Sequence, residues 1–223
     1  MTVAFDATHA EAYDRNLEPL LAIKATLHLL MRWQFSGLPD EARILLAGAG
    51  TGAEARFLAP ILPRWTFTLV DPSPAMLHVA QRHAAAEGFV DRCEFHVGLV
   101  SSLAADSFDA ATSVLVSHFL ADSAQRQAYF AEIAKRLVPG GRLFNADLCA
   151  DTEAPTFGAV MDLWLTLSGM PEERKGFFRA AFGSGLAAHG PAEVEAMIAS
   201  AGFDAPVPVF QAALIRGWTA LRA

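Results

Sequence analysis

Three glycines, Gly48, Gly50 and Gly52, follow directly on the apolar run Ile44-Leu45-Leu46-Ala47 and precede a stretch of helical pattern. Glycine reaches left-handed backbone angles and lets a ligand approach with no Cβ in the way, while a helix start offers free N–H groups. That is the geometry of a nucleotide site. The same residues, continued to Ala53, satisfy Gly-x-Gly-x-x-Ala, so the turn alone does not choose among nucleotides. The next apolar run, Phe67 to Val70, ends in Asp71, where a carboxylate can accept both hydroxyls of an adenosine ribose. Asp71 could instead cap the following helix, but Ser73 is placed to do that.

Further along, His118 follows the fourth apolar run, and Tyr13 stands in the N-terminal segment. Either could serve as a base; packing against the sheet is the competing account for His118, and covering a bound ligand for Tyr13. Arg174, Lys175 and Arg179, with Phe177 and Phe178 between them, could bind an anionic acceptor or form a solvated helix face. Trp164, Phe178 and Arg179 are the candidate substrate contacts. The histidines are scattered and no acid pair flanks the fourth run, so no metal is expected. Cys93 and Cys149 have no Cys or His at ligand spacing and read as small buried apolar residues.

The elements that must carry these residues follow from periodicity. Leu17, Leu20, Leu21, Leu27, Leu30 and Met31 share one helical face, predicting one or two helices before Gly37. Arg43 to Ala47, Thr66 to Val70, Cys93 to Val97, Phe108 to Val116 and Gly141 to Leu148 read as strands, alternating with helices at Gly52 to Ile61, Pro74 to Ala86 and Ser123 to Leu137. Alternation of this kind predicts an α/β doubly wound, Rossmann-like sheet of seven strands, mostly parallel. A helix from Pro191 to Ala201 and strands at Pro206 to Phe210 and Ala213 to Leu221 would close it with a C-terminal antiparallel hairpin. A single domain, 1–223, is expected: an N-terminal helical cap (1–40), a cofactor-binding core (41–150), a helical lid insertion (151–189), and the last helix with the hairpin (190–223).

The 223 residues carry 17 Lys and Arg against 24 Asp and Glu, a net charge of −7. No general field therefore draws the protein to nucleic acid or anionic lipid. Asp6, Glu11 and Asp14 precede any long apolar stretch, and no later run is long enough to span a bilayer, so a cytoplasmic location is expected.

Four segments in order, Ala47-Gly48-Ala49-Gly50-Thr51-Gly52, Val70-Asp71-Pro72-Ser73-Pro74-Ala75-Met76-Leu77, Ser107-Phe108-Asp109-Ala110 and Leu137-Val138-Pro139-Gly140-Gly141-Arg142-Leu143, resemble the class I S-adenosylmethionine-dependent methyltransferases. The resemblance implies S-adenosylmethionine as cofactor, held by Ala47, Gly48, Ala49, Gly50, Gly52, Asp71 and Pro72. It further implies Met76 packed on the adenine, Leu99 and Val100 at its edge, and Ser113 and Val114 at the methionine end. Two positions depart from that family: Ala47 stands where an acid usually begins the first motif, and Leu99 where an Asp often meets the adenine. Phe5-Asp6, Tyr13, Phe119-Leu120, Ala201-Gly202-Phe203 and Phe210-Gln211 are spaced as in the carboxy-S-adenosylmethionine-dependent tRNA uridine methyltransferases, with Arg179 near the position of a carboxylate-binding Arg. The leading expectation is methyl transfer to a small-molecule acceptor by a possible homodimer. Alternatives are a tRNA-modifying enzyme, a cofactor-binding protein without catalysis, and a nicotinamide oxidoreductase.

Overall fold

The computed structural model describes residues 7–104 and 107–223; Phe5-Asp6 lies outside them. Strands β1 (Arg43–Ala47), β2 (Thr66–Asp71), β3 (Cys93–Val97), β4 (Phe108–Val114), β5 (Leu137–Leu148), β6 (Val207–Ala212) and β7 (Ile215–Leu221) form one sheet in the order β3-β2-β1-β4-β5-β7-β6. The first five pair in parallel, and β7 runs antiparallel to both of its neighbours. The order reverses between β1 and β4, the switch point at which the connections leave in opposite directions and open a crevice at the strands' carboxyl ends.

Both faces of the sheet are covered, which explains why β1 reads as a continuous apolar run instead of an alternating one. Ile44, Leu46, Phe67 and Leu69 face one core, with helices α2 (Leu21–Gln34), α3 (Ala53–Leu58), α4 (Pro74–Ala86) and α6 (Phe157–Leu167). Leu45, Ala47, Val70 and Ala111 face the other, with α5 (Ser123–Arg136) and α8 (Pro191–Ser200). Helix α1 (Ala7–Asn16) precedes a 3-10 turn at Glu18–Leu20, and α7 (Glu172–Ala181) completes the helical 151–189 segment. Ser73 and Asp122 cap α4 and α5, accepting from the Met76 and Gln125 amides. No helix among the described residues is long and apolar enough to cross a membrane.

Several boundaries differ from the sequence reading, among them those of β6, at Val207–Ala212 in place of Pro206 to Phe210, and β7, which begins at Ile215 in place of Ala213. Helix α3 stops at Leu58, short of Ile61. Strand β5 begins at Leu137, because Leu137 pairs with Phe108 before an irregularity, and Pro139-Gly140-Gly141 is carried inside the strand. Strand β4 ends at Val114, since Leu115 turns to φ +58° and leaves the extended path.

Candidate functional site

The three glycines of the turn adopt φ values of +75°, +52° and +79° at Gly48, Gly50 and Gly52, a region that residues with a Cβ rarely enter. The turn is latched to the end of β2. Gly48 and Ala49 donate to the Val70 carbonyl at 2.8 and 2.9 Å, and Gly50 donates to Asp71 Oδ2 at 2.9 Å. Ser73 donates to Asp71 Oδ1 at 2.8 Å. A carboxylate offers about four acceptor sites, so about two remain on Asp71. Burial raises the Asp71 pKa, opposed by the amides of Ser73 and Gly50. Space above the turn is tight: a Cβ on Gly48 would collide with Val116, and one on Gly50 would come within 3.4 Å of Met76 Cε.

Helix α1 lies across the turn. Thr51 donates to Asp14 at 2.8 Å, Arg56 approaches Asp14 at 3.6 Å, and Arg82 pairs with Glu11. Met76 is buried with Ala10 and Val79, and Tyr13 packs against this group. Burial pushes the Tyr13 phenol well above its ordinary value, and the charges of Glu54, Asp14 and Asp71 add to that. A phenol so placed keeps its proton near neutrality, so it suits covering a ligand better than taking a proton.

Between α2 and the turn a cavity of about 60 Å³ is lined by Tyr13, Lys24, His28, Gly48, Gly50 and Glu54, with an apolar wall that includes Leu27, Val114 and Leu115. His28 and Glu54 are each only 8% exposed. His28 Nε2 lies 3.7 Å from Glu54 Oε1 and has no hydrogen-bond partner among the described residues.

A second polar group sits past β4, on the carboxyl side of the sheet. Asp147 on β5 is fully buried and accepts from the His118 amide (3.1 Å), His118 Nδ1 (2.9 Å), Arg126 (3.2 Å), Asn145 (3.2 Å) and Ser117. Arg126, equally buried, also donates through Nε to Ser117 Oγ at 2.9 Å. Burial alone would raise the Asp147 pKa, yet the His118 hydrogen bond and the Arg126 charge hold it below the ordinary carboxylate range. An ionised Asp147 keeps the His118 proton on Nδ1 and leaves Nε2 as the acceptor nitrogen, the arrangement of a base oriented by a carboxylate. The imidazole is only 3% exposed, and Ala187 of the 151–189 segment donates to the His118 carbonyl at 2.9 Å.

The remaining candidates scatter. Val114 reaches the cavity, whereas Ser113 is buried and accepts from Tyr129 at 2.9 Å, the same phenol that bonds the Ala47 carbonyl at 3.2 Å. Pro72 and Leu99 are exposed, and Val100 is buried in the α5-side core. Trp164 stacks on Phe178 with ring centroids 6.4 Å apart, and Arg179 bonds Asp162 at 2.6 Å, so these three tie α6 to α7 and do not line the cavity. His118 does not line it either. No group of three or more metal-ligating side chains occurs among the described residues.

Sequence reasoning missed His28, Glu54, Arg126 and Asp147. A histidine directly after Leu27 on an apolar helical stripe was a legible signal for the first; the others meet only through the tertiary fold.

Residues 45–143 match the family model described as a methyltransferase domain. Over 103 residues the chain is 36% identical to an uncharacterized protein of Synechococcus sp., covering 45% of this chain and 24% of that one. Over 135 residues it is 32% identical to the ubiquinone biosynthesis O-methyltransferase of Methylocella silvestris, covering 59% of this chain and 50% of that one. The chain thus matches half or less of the length of these curated relatives. Among solved structures, a putative O-methyltransferase from Nostoc punctiforme shares the fold, with a TM-score of 0.72 at 18% identity over 97% of this chain and 59% of that one.

Proposed function

We propose that the chain, whose residues 45–143 match a methyltransferase domain, is a class I methyltransferase that binds S-adenosylmethionine at the glycine turn and methylates a small-molecule acceptor. The observation that carries this reading is the junction of Gly50 with Asp71: one amide fixes the carboxylate beside the turn and leaves acceptor capacity for a ribose. The residues fit the group: a turn of left-handed glycines, a carboxylate with free acceptor sites, and an orphaned His28 Nε2 facing the adjoining cavity.

The cofactor, when bound, supplies a methyl group on a sulfonium whose reactivity is its own, so the protein's work is alignment and exclusion of water. In this reading Asp71 accepts the ribose hydroxyls, Met76 packs on the base, and Tyr13, held over the turn by α1, covers the ligand. His118 is the group we assign to proton removal from a hydroxyl acceptor, with Asp147 as the residue that orients it. The Arg179–Asp162 bond engages the guanidinium within the lid, which favours the ordinary cofactor over a carboxylated one.

Calorimetric titration with adenosylhomocysteine and, separately, with NADH tests the reading. Binding of the first alone is expected. Binding of NADH alone would make the chain a nicotinamide protein, and binding of neither would remove the nucleotide site.

A further inference from the structure

We infer that Glu54, His28 and Lys24 form the anchor for the zwitterionic α-amino-acid head group of the ligand, a function that Ala47, with no charged or polar side chain, cannot perform. The inference rests on the proposed adenosyl site and extends it to the other end of the same molecule. Size is the first argument. A cavity of 60 Å³ holds about four to six water-sized groups, which matches an amino-acid head and falls far short of a nucleoside.

Polarity is the second. A buried ring nitrogen without a partner is costly and rare in native proteins, and His28 Nε2 is such an atom, in a residue 8% exposed and on the cavity wall. At 3.7 Å, Glu54 is too far to satisfy it. A ligand carboxylate would accept from the Nε2 proton, and its ammonium would donate to Glu54. Lys24, half-buried on the same wall, supplies a positive charge for the carboxylate. The three side chains therefore present one negative and two donor positions to one small space, the complement of a zwitterion.

Placement is the third. Gly48, Gly50 and Thr51 line the cavity, so it opens beside the same turn whose Gly50 amide bonds Asp71. A nucleoside carrying an amino-acid tail would then span from Asp71 to Glu54.

The test compares two probes by calorimetry: adenosylhomocysteine, which carries the head group, and 5′-methylthioadenosine, which lacks it. Wild-type protein should bind the first more tightly. Glu54→Gln should weaken adenosylhomocysteine about tenfold to a hundredfold and leave methylthioadenosine unchanged. Lys24→Met, at a half-buried site with little burden on folding, should show the same selectivity at about fivefold. Equal affinity of the wild type for both probes, or equal weakening of both by Glu54→Gln, overturns the anchor while the nucleoside site stands. Failure of the wild type to bind either probe instead sinks the adenosyl site itself.

Discussion

Two polar clusters flank the carboxyl ends of the strands, and they are built on opposite plans. Around Asp147 every charge is met: five donors converge on one carboxylate, and Arg126 is buried with its partners in place. Around Glu54 the account is open, with a carboxylate 3.7 Å from a histidine that has no hydrogen bond at Nε2. A closed network rigidifies the fold, whereas a cluster left unsatisfied at similar burial has polar capacity to spare, the capacity that the inferred head-group anchor uses. His118 belongs to the first plan through Nδ1, and Nε2 is the nitrogen to which the proposed function assigns proton removal.

Experiments can break this contrast. The largest effect is expected from His118→Ala, which should lower turnover about a hundredfold to ten-thousandfold, on whichever small hydroxylated acceptor the wild type methylates, with adenosylhomocysteine affinity intact. Full turnover would assign His118 to packing alone. Arg126→Met leaves Asp147 charged and buried with fewer partners, and should cost about 3–5 kcal/mol of stability in urea unfolding. A loss below about 1 kcal/mol would show that the network is less closed than its geometry. Asp71→Ala should weaken adenosylhomocysteine about tenfold to a hundredfold, by calorimetry, and unchanged affinity would take Asp71 out of the site.

Acid sharpens the same contrast. The Asp147 carboxyl is held below its ordinary value of 3.8, so the stability it contributes is present above that pH and lost as pH falls through its lower, folded value. Asp71 runs the other way. Burial raises its pKa above 3.8, so the proposed ribose binding, which would use the ionised form, should fade on acidification before the Asp147 network fails. Adenosylhomocysteine titrations and circular dichroism across the same acid range would separate the two events; simultaneous loss would contradict them. The smallest effect is expected at Tyr129→Phe, which removes the hydroxyl shared by Ala47 and Ser113 and should cost about 1 kcal/mol.

The parts of the molecule legible in the sequence are those fixed by local pattern. Strands buried on both faces announce themselves as apolar runs, and β3 and α4 fall within the predicted Cys93 to Val97 and Pro74 to Ala86. Glycines that need positive φ and an acid at a strand end are likewise local facts. Strand β5 was harder because Pro139-Gly140-Gly141 carries the signature of a stop, yet pairing of Leu137 with Phe108 draws it into the sheet. The clusters were harder still. Arg126 on α5, Asp147 on β5 and Ser117 after β4 come together only when the chain is wound, and nothing in the spacing of 117, 126 and 147 encodes that meeting. Trp164 and Phe178, chosen for their aromatic rings, turned to each other, since apolar side chains on adjoining helices bury most area by packing together.

The contact between Gly48 and Val116 has one more implication, this time for how such a chain can change over generations. With the valine methyls resting against the bare α-carbon, the two positions are bound by a one-sided constraint. A side chain gained at 48 meets two obstacles, the positive φ and the valine, and trimming 116 removes only the second, so position 48 stays closed while 116 is free to shrink but not to grow.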